Sequence, residues 1–106
     1  MSPAAAALLR VLSARAGIVR NRILLTDADS IDWQSLTFTG ERHHIGLRIA
    51  GPDSRGAVRR MCAGLEDAEF SIPGLLVADI GVLGTPIEAR GGSTELTIEA
   101  LTISEA

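Results

Sequence analysis

The segment His43–Ile49 alternates between apolar and polar side chains, which is the pattern that most restricts how this chain can fold. Successive side chains of a strand point to opposite faces, so this period of two predicts a half-buried β-strand. His43 shares the parity of Ile45 and should face the core, whereas His44 should face water. Leu36–Thr39 alternates in the same way, and Gly40-Glu41 between the two runs predicts a hairpin turn. An antiparallel sheet is the expected result.

Two further segments have the spacing of amphipathic helices. The first spans residues 3–16, with Ser2 as its N-cap and Gly17 as its stop. Its apolar stripe is formed by Ala5, Leu8, Leu9, Leu12 and Ala16. Because this helix is terminal and rich in Ala, we expect it to pack on a neighbouring subunit rather than on its own core. The second helix is expected from about Asp53 to Asp67.

The remaining strands are read from composition and alternation. Ile23–Leu25 predicts a short strand, and the acidic segment Asp27–Asp32 predicts a polar loop. Leu75–Leu83 is apolar on both faces except at Asp79, which is typical of a central strand covered on both sides. Thr94–Ser104 predicts the last strand. The fold class is therefore α+β, an antiparallel sheet of four to five strands with two helices packed mainly on one face, and a ferredoxin-like variant is one candidate arrangement.

Length and composition favour one soluble domain over residues 1–106, with an Ala- and Arg-rich N-terminal helix. Cys62 is the only cysteine, so an intrachain disulfide and a cysteine-rich metal site are excluded, and a reducing, cytoplasmic setting is expected. All ten basic residues are Arg, which favours a small bacterial protein from a GC-rich genome. Arg10 interrupts the N-terminal apolar run, and no run approaches the ~20 apolar residues of a membrane span.

Charge is distributed unevenly along the chain. Residues 1–60 carry nine Arg and five acidic residues, whereas residues 61–106 carry one Arg and eight acidic residues. The two parts therefore have net charges of +4 and −7, which add to −3. Such parts can complement each other within one fold or across a symmetric dimer. They argue against nucleic acid as a partner, because nucleic-acid-binding proteins show a continuous basic face.

The candidate site residues are few, and no catalytic, metal-binding or cofactor motif accompanies them. Asp79 is an acid within an apolar strand, so we expect a basic partner on the hairpin strands or a shifted pKa. An anion or an acidic protein surface could bind basic side chains that include those of helix two. The ligand-binding candidates are His43, His44, Arg48, Arg55, Arg59 and Asp79.

Three functions follow from these observations. The leading hypothesis is a module that acts by association, as a homodimer, without catalysis. The alternative is a regulatory domain that binds a small molecule or anion through Arg48, Arg55 and Arg59 with His43 or His44. The least favoured is a hydrolase built on the histidines and Asp79, because no nucleophile or metal set accompanies them.

Overall fold

The computed structural model describes residues 1–105 and shows one antiparallel sheet with two helices on one of its faces. The elements follow the order αββαββ: α1 Pro3–Ala16, β1 Ile23–Gln34, β2 Thr39–Ile49, α2 Ser54–Cys62, β3 Leu75–Glu88 and β4 Thr94–Ser104. Short 3₁₀ turns occupy Arg20–Arg22, Leu65–Asp67 and Arg90–Gly92. The predicted α+β class is confirmed.

The sheet is built from two hairpins placed side by side. Its strand order is β1-β2-β4-β3, and every neighbouring pair is antiparallel. Each hairpin is preceded by its own helix, so the chain consists of two αββ units whose second strands meet at the centre. This order of elements is the βαββαβ order of a ferredoxin-like fold with its first strand moved to the end, which is a permuted form of that arrangement.

Helix α1 follows its sequence signals closely. Ser2 Oγ accepts a hydrogen bond from the backbone N–H of Ala5 at 3.1 Å, and Gly17 ends the helix with φ of +68°. The whole predicted apolar stripe is buried within this one chain, with Leu8 and Leu12 fully inaccessible. The expectation that α1 packs on a neighbouring subunit is therefore wrong, because its apolar stripe is already covered.

The C-terminal ends of the two helices are tied together by a reciprocal pair of arginines. Nε of Arg15, in α1, donates to the carbonyl of Met61 at 2.9 Å, and its Nη2 donates to the carbonyl of Ala63. In return, Nε of Arg60, in α2, donates to the carbonyl of Ala16 at 2.9 Å. The last carbonyls of a helix lack partners within it, so each helix supplies the cation that satisfies those of the other.

Strand β1 differs from its sequence prediction. It continues through the acidic segment to Gln34, so Asp27–Asp32 is strand rather than loop. The turn lies at residues 35–38, where the N–H of Ser35 bonds the carbonyl of Phe38 at 2.9 Å, and not at Gly40-Glu41. Pairing with β2 over the whole length of β1 outweighs the weak strand propensity of its Asp and Ser residues.

Gly40 is needed inside β2 for a different reason from the predicted turn. A Cβ at this position would lie 1.9 Å from the carbonyl oxygen of Thr102 on β4. The two central strands approach too closely there for any side chain, so the glycine permits contact rather than a reversal of the chain.

Two other elements also depart from expectation. Helix α2 is shorter than predicted and ends at Cys62, because Gly64 then adopts a left-handed φ of +61°. The apolar segment Leu75–Leu83 belongs to β3, which is an edge strand rather than a central one. Of its members only Ile80 is fully buried under the helices. The apolar side chains of β3 on the other face, such as Leu76 and Leu83, lie half exposed.

Candidate functional site

Neither described helix packs on the face of the sheet opposite the core, and we call this face the bare face. Ile103 on this face is nevertheless only 6% exposed. The strand register places one residue from each strand in each transverse row. In the order β1, β2, β4, β3, the rows are Leu24–Arg48–Glu95–Ile87, Asp27–Gly46–Thr97–Leu83, Asp29–His44–Glu99–Gly81, Ile31–Arg42–Leu101–Asp79 and Trp33–Gly40–Ile103–Leu76.

Apolar side chains occupy the two outer strands of the bare face. Between 50% and 65% of the surface of each of five large side chains is exposed: Leu24, Ile31, Leu76, Leu83 and Ile87. Trp33 and Leu101 on the same face are half-buried. Charged side chains separate these residues, so they form several exposed apolar clusters on one face rather than one continuous surface. Single exposed apolar residues are common on protein surfaces, but several clusters on one face are typical of an interaction site.

The two central strands carry both signs of charge on the bare face, whereas the outer strands add only the acids Asp27, Asp29 and Asp79. Strand β2 contributes Arg42, His44 and Arg48, whereas β4 contributes Glu95 and Glu99. Nη2 of Arg48 lies 2.6 Å from Glu95 Oε1, and Nε2 of His44 lies 3.2 Å from Glu99 Oε1. All four partners are about half exposed, so each pair adds at most about 1 kcal/mol to stability. On the bare face these residues make β2 a basic strand that lies beside an acidic strand, β4.

His43 lies on the opposite, helix-covered face and is fully buried, as the alternation predicted. Its Nδ1 lies 2.7 Å from Ser30 Oγ, and its Nε2 lies 2.8 Å from Thr102 Oγ1. Burial lowers the pKa of His43, and the Glu41 carboxylate opposes this shift to a smaller extent. The ring is therefore neutral at pH 7.

The partners of His43 fix which ring nitrogen carries the proton. Thr102 is only 1% exposed, and His43 is the only side-chain partner of its hydroxyl among the described residues. A buried hydroxyl without an acceptor is costly, so Thr102 donates to Nε2 and the ring proton resides on Nδ1, which donates to Ser30. A ring protonated on that side cannot take the proton of Ser30, so this arrangement does not form a nucleophile–base pair.

Asp79 does not have the predicted environment. Its carboxylate is exposed on the edge strand β3 and belongs to none of the ion pairs formed within residues 1–105. In its row, Leu101 of β4 separates it from Arg42 on β2. The prediction of a buried partnership with a basic residue is wrong, because the strand that carries Asp79 has one open edge and a bare face.

Arg55 and Arg59 lie in a different place, a cleft of about 570 Å³ at the start of α2. The cleft lies between this helix and the loop around Gly91-Gly92. Nε of Arg55 is 3.1 Å from Glu88 Oε1, whereas Arg59 belongs to no ion pair among the described residues. Ser54 ties the helix to the loop by donating to the carbonyl of Gly92 at 2.6 Å.

The six candidate residues therefore do not form one site. His44, Arg48 and Asp79 lie on the bare face, Arg55 and Arg59 line the cleft, and His43 is buried under the helices. Sequence reasoning missed the apolar members of the bare face on β1, because that segment was read as a loop. It also missed Ser30 and Thr102, which nothing local distinguishes from other hydroxyl residues.

Residues 1–105 offer no metal site. No three His, Cys, Asp or Glu side chains come close enough together there to hold a metal ion. Burial raises the pKa of the Cys62 thiol, with Arg15 opposing the shift. Neither described helix has the length and apolar character needed to cross a bilayer. Comparison with protein-family models, curated proteins and solved structures found no match.

Proposed function

We propose that this protein acts by association, as a homodimer, through the bare face of its sheet. The observation that supports this proposal is the set of apolar side chains on a sheet face that the chain itself leaves uncovered. An antiparallel sheet commonly leaves one face in water, but that face is then polar, whereas five large apolar side chains are exposed on the bare face. A second sheet packed about 10 Å away would cover the bare face.

The size of the bare face is suitable for a stable interface. Strands of 11 residues at about 3.3 Å per residue and four strands at about 4.8 Å spacing define a surface of about 36 by 19 Å. When two copies cover each other's bare face, roughly 1,400 Å² of surface, summed over both copies, is removed from water. This area lies within the usual range of specific protein–protein interfaces.

A matched pair of substitutions tests the proposal. Leu83→Glu places a negative charge on the bare face, at a residue already 52% exposed, so the fold of each subunit should persist. Leu36→Glu makes the same change at a fully exposed residue of the β1–β2 turn, outside the face. We expect size-exclusion chromatography with light scattering to show weaker dimerisation of Leu83→Glu only. Equal dimerisation of both variants at every concentration would contradict the proposal.

The cleft supports a second candidate function, the binding of a small anion. Arg59 offers a guanidinium that no described carboxylate neutralises, beside the N-terminal end of α2. Arg48 and the two histidines, which the sequence grouped with Arg55 and Arg59, are not part of this cleft. Thermal shift measurements with inorganic phosphate and pyrophosphate test this function, with Arg59→Gln as the variant and Arg10→Gln as its control. Equal melting temperatures with and without these anions would remove it.

The cytoplasmic setting stays a prediction from cysteine content, and the acidic protein partner stays a prediction from charge.

A further inference from the structure

We infer that the two copies stack with their two-fold axis parallel to the strands, so that β2 of one subunit lies over β4 of the other. This inference rests on the proposed homodimer and specifies its geometry. Two stacked sheets with aligned strands can be related by a two-fold axis that runs either along the strands or across them. An axis along the strands exchanges the two sides of the sheet, so that each strand lies over a different strand of the other copy. An axis across the strands keeps each strand over its own copy and reverses the direction along it.

The charges of the central strands distinguish the two choices. An axis across the strands would place β2 over β2 and β4 over β4 with the order of the rows reversed. The middle row would then meet itself, so that Asp29, His44 and Glu99 would each lie over the same residue of the partner subunit. An axis along the strands places the basic strand over the acidic strand of the other copy. Rotation about this axis does not change the position along the strands, so Arg48 faces Glu95 of the partner subunit and His44 faces Glu99 of the partner subunit. Like charges that face each other across an interface are strongly unfavourable, so the charge pattern selects the axis along the strands.

The outer strands are compatible with this arrangement, and the charges of the central strands decide it. With the axis along the strands, β1 lies over β3 of the partner, row by row. Leu24 then faces Ile87 of the partner subunit, and Trp33 faces Leu76 of the partner subunit. Apolar side chains therefore meet at the two end rows, whereas Asp27 faces Leu83 of the partner subunit and Ile31 faces Asp79 of the partner subunit between them. The apolar contacts supply affinity, and the charged centre sets the orientation.

Both edge strands carry features that oppose pairing at the edges. Strand β1 has Asp27, Asp29 and Asp32, and its register shifts between Leu25 and Asp27. Strand β3 has register shifts between Val77 and Asp79 and between Leu83 and Ile87. Charges and irregularities of this kind are how proteins prevent a sheet from extending at its edge. The second copy is therefore expected on the bare face rather than beside an edge.

Cross-linking distinguishes the two axes. Asp29 on β1 and Asp79 on β3 are exposed and lie in adjacent rows of the bare face. With the axis along the strands, residue 29 of one copy and residue 79 of the other are about 12 Å apart, whereas two copies of the same residue are about 17 Å apart. We would place Asp29→Cys and Asp79→Cys separately in a Cys62→Ser background and treat each protein, and their mixture, with a bismaleimide about 10 Å long.

The expected result is efficient cross-linking in the mixture and little in either protein alone. Cross-linking of Asp29→Cys with itself would support the axis across the strands, which brings the two copies of residue 29 to about 10 Å. That result would overturn the inference, while the homodimer would stand. A dimeric mass without cross-links in any sample would overturn the inference as well, because the two bare faces would then not face each other. A monomeric mass of the Cys62→Ser parent, with the unsubstituted chain also monomeric, would overturn both this inference and the proposed function.

Discussion

Replacing Thr102 by Val is the sharpest test of how this core is stabilised. The two side chains have nearly the same shape, so the substitution leaves no cavity at a residue that is only 1% exposed. It removes the hydroxyl that donates to Nε2 of His43 at 2.8 Å, and the fully buried ring has no other partner for that nitrogen among the described residues. An unsatisfied buried acceptor costs about 1–3 kcal/mol, and we expect Thr102→Val to lower the free energy of unfolding by that amount.

Urea denaturation followed by circular dichroism measures this change, with Thr39→Val as the control. Thr39 is exposed at the start of β2, so its replacement should change stability by less than about 0.5 kcal/mol. The double variant with His43→Leu removes both polar partners and should lose less stability than the two single variants together. If Thr102→Val costs no more than Thr39→Val, the hydrogen bond does not stabilise the core and the assignment of the ring proton loses its basis.

Two further predictions concern the buried His43 and the arginine that links the two helices. Because burial lowers the pKa of His43 below the 6.5 of an ordinary histidine, the unfolded chain binds more protons below that pH than the folded chain does. The free energy of unfolding should therefore fall as the pH decreases below about 6.5, and His43→Leu should flatten this dependence in denaturation series; an unchanged slope in the variant would contradict it. Arg15→Gln removes charged hydrogen bonds to the end of α2 and should lower the unfolding free energy by about 1–2 kcal/mol, whereas Arg10→Gln, at an exposed residue of the same helix, should change it by less than about 0.5 kcal/mol. Equal stability of the two arginine variants would refute the role of Arg15.

The elements whose signals are local could be predicted from the sequence. Helix α1 has its cap, its stripe and its stop within the segment itself, and the alternation in β2 shows which side chains face the core. The buried position of His43 followed from parity alone. The two hydrogen-bond partners of His43 could not be predicted in this way. Ser30 and Thr102 are 13 and 59 residues away in the chain, and the register of three strands brings them to the ring.

Strand order was the part that the sequence could not specify. The apolar segment of β3 was interpreted as central, because a strand that is apolar on both faces is usually covered on both faces. The structure places it at an edge, with Leu76 and Leu83 on the bare face. A strand at the edge can be apolar on both faces if a second copy covers the bare face, so the position of β3 is consistent with the proposed dimer. In β1, pairing with β2 over 11 residue pairs overrode a local composition typical of loops.

The most direct test of the account is the mass of the unmodified protein in sedimentation equilibrium at micromolar concentration. We expect a species with twice the 11.1 kDa mass of one chain, and we expect it to dissociate on dilution or after Leu83→Glu. A mass of 11.1 kDa that does not change across that concentration range would contradict the central claim that a second copy covers the bare face.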